Sequence, residues 1–282
     1  YFLIFTLNFF NANGQEQFNF DVTEIEISDN GEKFVGKKRG TITSSDGVII
    51  KANRFEYLKK LNILNASGDV EIIDTTNNNE IFTQTIIYEK NNNLILTENG
   101  SRALDKDGDI EIKAENFSYD LSKNIITAKK NAIVENKIKN YKIFSNFIKY
   151  SRNEGKIITE GETSAQISSK YNFESKNVIF LIKPMELVSK EKTTVTDKFN
   201  LYELEKFRYL INDEELIGEK ILINTKYKLP TSDKFYFKNA IVNLKNRTFY
   251  GTDTNIKVRK DIFENSDNDP RIVGVSAESE NN

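Results

Sequence analysis

Hydrophobic and polar positions alternate along most of this chain, in short stretches that recur. The stretch IKANRFEY at residues 50–57 returns as IKAENFSY at 112–119, and looser copies, IFTQTIIY and IFSNFIKY, stand at 81–88 and 143–150. Apolar residues in each copy recur at every second position, the period of a strand with one buried and one exposed face. The pattern predicts half-buried β-strands. Helix is not expected, even at LYELEKFRYL (201–210), which also fits the repeat as strand.

These copies are spaced by a constant 31 residues. Each begins with Ile, carries a small residue two places later, and ends with a large apolar residue and then an aromatic one two places on. A fifth unit continues with Phe173, Val178 and Phe180, its register shortened by one residue, and weaker units follow near Tyr202 and Phe235. A fixed period of this length indicates a repeat architecture in which each unit packs on its neighbours.

Each unit contains two apolar legs. The alternation slips by one residue between Ala52 and Phe55, which predicts a corner or bulge at that point. A second leg starts seven residues after each Tyr, as Leu64 does after Tyr57. Polar stretches such as KKLN (59–62) lie between the legs and suit turns, because Asn tolerates positive φ. We therefore predict an all-β, elongated sheet, folded over along its length and built from about six or seven bent β-hairpins.

Composition removes most catalytic chemistry. The 282 residues include no His and no Cys, so imidazole bases, thiolate nucleophiles and the usual zinc ligands are absent. With 40 basic and 42 acidic residues, the chain has no charge excess suited to nucleic acid. The run DKDGD at 105–109 resembles a calcium loop, but its Gly is fourth rather than sixth, which favours a hairpin turn. We expect no enzyme, no cofactor, no metal site and no nucleic-acid partner.

The first fourteen residues differ from the rest. YFLIFTLNFFNANG is an apolar run followed by small residues, which predicts the remnant of a secretory signal at 1–14, with an apolar first strand as the alternative. Residues 15–265 then form the repeat domain, and residues 266–282 are predicted to be a linker.

The repeat resembles that of the OstA-like lipopolysaccharide-transport family. The resemblance is carried by Ala52 and Tyr57 followed by Ala66-Ser67-Gly68-Asp69-Val70, and it extends from about Thr41 to Val258. The tail NDPRIVGVSAE at 268–278 is similar to the segment in which the family's outer-membrane assembly protein leads from its periplasmic N-terminal domain towards a membrane barrel. That tail favours the assembly protein over the shorter periplasmic bridge protein.

The resemblance implies a β-jellyroll, also called a β-taco, whose apolar groove conducts the acyl chains of lipopolysaccharide (LPS) across the periplasm. It also implies a bridge protein of the same fold as a partner, joined by edge-strand pairing, and a plug lipoprotein if a barrel is present. The alternatives are the bridge protein itself and a secreted repetitive β adhesin or structural protein with a closed core. The predicted lipid-lining residues are Ile50, Phe55, Tyr57, Ile81, Ile86, Tyr88, Ile112, Phe117, Tyr119, Ile143, Ile148, Tyr150, Phe173, Val178 and Phe180.

Overall fold

The computed structural model describes residues 17–229, 232–259 and 270–279. The predicted signal remnant at 1–14 lies outside the described residues. The described chain is all-β, as expected, with 24 strands in one sheet and three short 3-10 turns at Asp29–Gly31, Lys59–Leu61 and Lys90–Asn92. The strands are β1 (Phe18–Asp21), β2 (Ile25–Ser28), β3 (Lys33–Gly36), β4 (Gly40–Ser44), β5 (Val48–Ala52), β6 (Arg54–Leu58), β7 (Ile63–Asp74), β8 (Asn79–Glu89), β9 (Leu94–Asp105), β10 (Ile110–Ala114), β11 (Asn116–Asp120), β12 (Ile125–Asn136), β13 (Tyr141–Ser151), β14 (Lys156–Ile167), β15 (Tyr171–Lys176), β16 (Ile179–Leu181), β17 (Glu186–Ser189), β18 (Thr193–Thr196), β19 (Leu201–Leu204), β20 (Lys206–Leu210), β21 (Glu215–Asn224), β22 (Lys234–Asn243), β23 (Thr248–Lys257) and β24 (Arg271–Ser279).

The sheet is an antiparallel meander of long, bent strands. Strand β7 pairs along its length with β8, and β8 pairs along its length with β9. Strands β5 and β6 act as one bent strand, because β5 pairs with the second half of β7 and β6 with the first half. Each repeat is therefore two bent strands joined by a turn, which confirms the bent hairpin. The region 201–210 forms β19 and β20, as the alternation predicts.

The bends lie in one line, which we call the ridge. The predicted corner falls at Asn53, between β5 and β6, and the next strand has a register shift between Ser67 and Val70. Gly68 in that bulge has a φ of 79°, a conformation that costs glycine little. The Ala-x-Gly-x-Val motif is thus the sequence of a ridge bulge. Units that lack the full motif keep the conformation, with Gly100 at 85° and Gly161 at 75°.

The turns also follow the predicted chemistry. Asn62, Asn93 and Asn124 end successive turns with φ near 50° (53°, 49° and 52°), and Gly155 takes the next equivalent place at 60°. The run DKDGD forms the turn between β9 and β10, as expected. The sheet does not end at residue 265, where the sequence places the domain boundary, because β24 pairs with β23.

Folding along the ridge produces two leaves. The tyrosine leaf contains the half-strands that end in Tyr57, Tyr88, Tyr119 and Tyr150, and the isoleucine leaf contains those with Ile50, Ile81, Ile112 and Ile143. Their inner faces form one hydrophobic cluster, which runs from Phe18 to Leu244. The core is therefore a column between the leaves rather than a compact centre.

Candidate functional site

The interior between the leaves contains every residue predicted to line a groove. The most exposed of these residues is Tyr57, at 6%. They share one cluster and face inward from consecutive strands: Ile50, Phe55, Tyr57, Ile81, Ile86, Tyr88, Ile112, Phe117, Tyr119, Ile143, Ile148, Tyr150, Phe173, Val178 and Phe180. The sequence pattern thus identifies the inner face. Whether lipid touches it stays a prediction.

Side chains of the two leaves touch across this interior. The ring of Phe18 lies 5.0 Å from that of Tyr57 on the opposite leaf, and the rings of Phe173 and Phe207 are 5.6 Å apart. Close aromatic pairs of this kind stabilise packing beyond the area they bury. The interior is filled by the chain's own residues, so a guest molecule has to separate the leaves.

Opposite the ridge, the turns of the two leaves meet along a line that we call the seam. On one side are the turns that follow the tyrosines (59–62, 90–93, 121–124 and 152–155), and on the other are those of the isoleucine leaf (45–47, 75–78, 106–109 and 137–140). The tyrosine hydroxyls lie at this seam. Tyr119 donates to the Asp74 carboxylate at 2.6 Å, and Tyr150 makes the same bond to Asp105, each across 45 residues of chain.

We call each hydrogen bond from a seam tyrosine to a carboxylate of the opposite leaf a latch. Cations reinforce two of the latches. Tyr88 donates to Asp46 at 2.9 Å, and Lys90, only 8% exposed, pairs with the same carboxylate at 2.6 Å. Arg152 lies 3.2 Å from Asp105. Hydrogen bonds to charged partners are the stronger kind, so the seam is closed by a ladder of polar bonds at the edge of an apolar column.

Electrostatics at the latches keep the tyrosines protonated. Burial, together with the partner carboxylates, raises the pKa of the Tyr88, Tyr119 and Tyr150 hydroxyls far above the usual value. Burial opposes the charge of Asp46, but hydrogen bonds from Lys90 and other neighbours outweigh it and lower the pKa of this carboxyl. The Tyr88 latch therefore joins a neutral hydroxyl donor to an ionised Asp46 carboxylate at neutral pH.

Sequence reasoning found the tyrosines but missed their partners. The available signal is the spacing, since Asp74 and Asp105 are also 31 residues apart. In the sequence, an Asp at these positions is already explained as an ordinary turn residue, and Asp105 does accept hydrogen bonds from the backbone N–H groups of Asp107 and Gly108. Within the described ranges, no group of His, Cys, Asp and Glu side chains is arranged to hold a metal ion. No helix in the same residues has the length and apolarity to cross a membrane.

Comparison with known proteins identifies a structural neighbour. No family model matches the chain, and neither does any curated protein. Among solved structures, the chain is similar to LptH from Pseudomonas aeruginosa, described as the LptA-homologous periplasmic component of the conserved lipopolysaccharide transport device. The match has 13% identity and a TM-score of 0.37, and covers 40% of this chain and 82% of LptH.

Proposed function

We propose that the chain is a non-enzymatic, periplasmic component of LPS transport and assembly at the outer membrane, and that acyl chains travel along the column between its leaves. One observation carries the proposal: the inner faces of all repeats form a single apolar cluster from Phe18 to Leu244. A column of this kind offers an acyl chain the same environment at every step. Each methylene that leaves water for it is stabilised by about 0.8 kcal/mol.

The sequence repeat, the family resemblance and the interior geometry support the proposal. The assembly protein's periplasmic domain is the form we favour, on the resemblance of the tail, with the bridge protein as the alternative within the same system. Sequence beyond Asn282 distinguishes them, since only the assembly protein continues into membrane strands.

Edge pairing is the proposed way in which the chain joins a partner of the same fold. In the described residues, β24 pairs only with β23, β1 pairs only with β4, and β2 pairs only with β3. Each end of the sheet therefore presents backbone groups that another strand can use. A bridge protein that pairs here extends the column, and a plug lipoprotein is a further proposed partner if a barrel follows.

A closed structural or adhesive β-protein is the second candidate. The direct contact between leaves favours it, because Phe173 and Phe207 leave no open groove between them. This candidate function predicts a permanently dry core and a ligand, protein or glycan, on the outer faces.

Photo-crosslinking in cells tests both candidates. Azidophenylalanine, close in size to the native ring, replaces Phe117, which is 3% exposed in the middle of the column. The matched control places it at Lys113, on the outer face of the preceding half-strand, with its side chain 49% exposed. Transport predicts LPS captured from position 117 and not from 113. Capture from 113 alone, or of protein partners only, would refute the transport proposal.

A further inference from the structure

Opening the seam breaks no sheet hydrogen bonds. In the described part of the chain, the backbone hydrogen bonds of the turns run along each row: Lys90 donates to Asn62 on one side, and Lys106 to Asn78 on the other. The bonds that cross the seam are made by side chains, as in the pair of Asn79 and Asn124 at 2.9 Å. The leaves can therefore part about the ridge while every strand stays paired.

The latches are unevenly distributed along the seam. After the latch between Tyr150 and Asp105, the next latch along the seam joins Tyr171 of the isoleucine leaf to Glu214 of the tyrosine leaf, at 2.5 Å. We call each level of the stacked strands a rung. Between these two latches lies one rung at which the repeat places Phe180 where earlier units have Tyr. The pairing shows the equivalence, because Ile157 is the cross-strand partner of both Tyr150 and Phe180.

The other half of a latch is also missing at this rung. Asn136 stands 31 residues after Asp105, the place of the carboxylate, and its side chain bonds to the backbone of Gly108 and Lys139. What crosses the seam here is a ring contact, Tyr141 against Phe180 with centroids 4.6 Å apart. The Tyr141 hydroxyl is buried close to the Asn136 side chain but makes no hydrogen bond of ordinary geometry. A buried hydroxyl without a well-formed hydrogen bond is costly, so an acceptor brought to this position would be favoured.

We propose that the seam opens at this rung, and that separation of the Tyr141 and Phe180 rings forms the lateral portal through which an ester- or amide-linked acyl chain reaches the column. The inference rests on the proposed function. Phe180 supplies an apolar wall in place of a latch, so parting the leaves here breaks no charged hydrogen bond. The Tyr141 hydroxyl donates to the carbonyl oxygen of the passing chain, which satisfies the donor that the closed form leaves unpaired.

Restoring the latch tests the portal. The full-length double variant N136D/F180Y places Asp and Tyr where the Tyr119 and Tyr150 latches have them, and the single variants are matched controls because each supplies half of a latch. Uptake of anthroyloxy-labelled palmitate and binding of purified LPS are followed by fluorescence, with circular dichroism to confirm the fold. We expect uptake by the double variant to slow about ten-fold or more, the equivalent of one hydrogen bond to a carboxylate. The single variants stay close to the wild type.

A second variant works in the opposite direction. Tyr150→Phe removes the hydrogen bond at the neighbouring latch and should speed uptake. Equal rates in the wild type, N136D/F180Y and Tyr150→Phe, with probe binding intact, would overturn the portal and leave the transport proposal standing. Absence of binding to any variant and to the wild type would overturn both.

Discussion

Replacing Tyr119 by Phe should destabilise the protein, whereas the same change at Tyr209 should not. The two side chains are both 0% exposed and face the same column. They differ at the hydroxyl: that of Tyr119 donates to Asp74 at 2.6 Å and accepts from the Asn79 side-chain amide at 2.8 Å, whereas that of Tyr209 has no partner. The comparison separates the hydroxyl's hydrogen bonds from the burial of the ring, and the double-mutant cycle with Asp74 separates the latch from the bond to Asn79.

The magnitude follows from the bonds around Asp74. A hydrogen bond to a charged group contributes about 1.5–3 kcal/mol. Asp74 keeps three other donors when Tyr119 is lost: the backbone N–H groups of Thr76 and Asn77, and the Asn77 side-chain amide. We therefore expect Tyr119→Phe to lower the free energy of unfolding by about 2 kcal/mol, towards the lower end of that range. Tyr209→Phe removes an unpaired buried polar group, so it should be neutral or stabilising by up to about 1 kcal/mol.

Urea denaturation followed by circular dichroism measures both changes. Because repeat proteins can unfold in more than one step, amide exchange of the turns at 75–78 and 121–124 provides the local readout, and protection should fall there in Tyr119→Phe alone. A double-mutant cycle with Asp74→Asn should give a coupling of about 1–2 kcal/mol. Equal losses in the two Tyr→Phe variants, or no coupling, would show that the latch contributes nothing beyond packing.

Three further predictions concern pH, the ridge and the column. The pKa values of the latch tyrosines are raised on folding, as are those of the other buried tyrosines, so the stability they contribute is fully present below about pH 10 and is lost as the pH rises above it. Alkaline titration should show the free energy of unfolding falling by about 1.4 kcal/mol per pH unit for each such group, and less steeply in Tyr119→Phe than in the wild type. Gly68 has a φ of 79°, and an added Cβ would lie 2.9 Å from the Asn53 side chain, so Gly68→Ala should lower the free energy of unfolding by about 2 kcal/mol in chemical denaturation. Gly100→Ala should lower it less, because the added Cβ meets nothing there. Ile143 is fully buried, so Ile143→Ala should lower the free energy of unfolding by about 2–5 kcal/mol in urea denaturation, whereas Ile143→Val should lower it by about 1 kcal/mol.

Local patterns predicted most of the fold. Strands, turns and ridge follow from alternation, from its slip between Ala52 and Phe55, and from residues that accept positive φ, such as Asn62 and Gly68. These signals are all contained within a few residues of chain, so a single sequence displays them. The inner face is equally local, because the side-chain period of a strand decides it.

The closure of the seam does not follow from the sequence in the same way. Tyr119 and Asp74 are 45 residues apart, and their contact depends on which turn of one leaf faces which turn of the other. Lys90 looks like an ordinary polar turn residue, yet folding makes it a nearly buried partner of Asp46. The pattern predicts Phe180 as one more lining residue. That it interrupts a series of latches emerges only when its cross-strand partners are known.

Apolar contacts and latches, which both hold the leaves together, respond differently when an acyl chain enters between them. When the leaves part, an acyl chain takes the place of the opposite leaf on each apolar surface, since a methylene is stabilised by about the same 0.8 kcal/mol against either one. A latch has no such substitute, because an acyl chain offers Asp74 no donor. The free-energy cost of opening a rung therefore lies mainly in its latch, at about 1.5–3 kcal/mol. A rung without a latch, like that of Tyr141 and Phe180, is where opening costs least, and under the proposed transport function the distribution of tyrosines and aspartates along the seam would decide where a lipid passes.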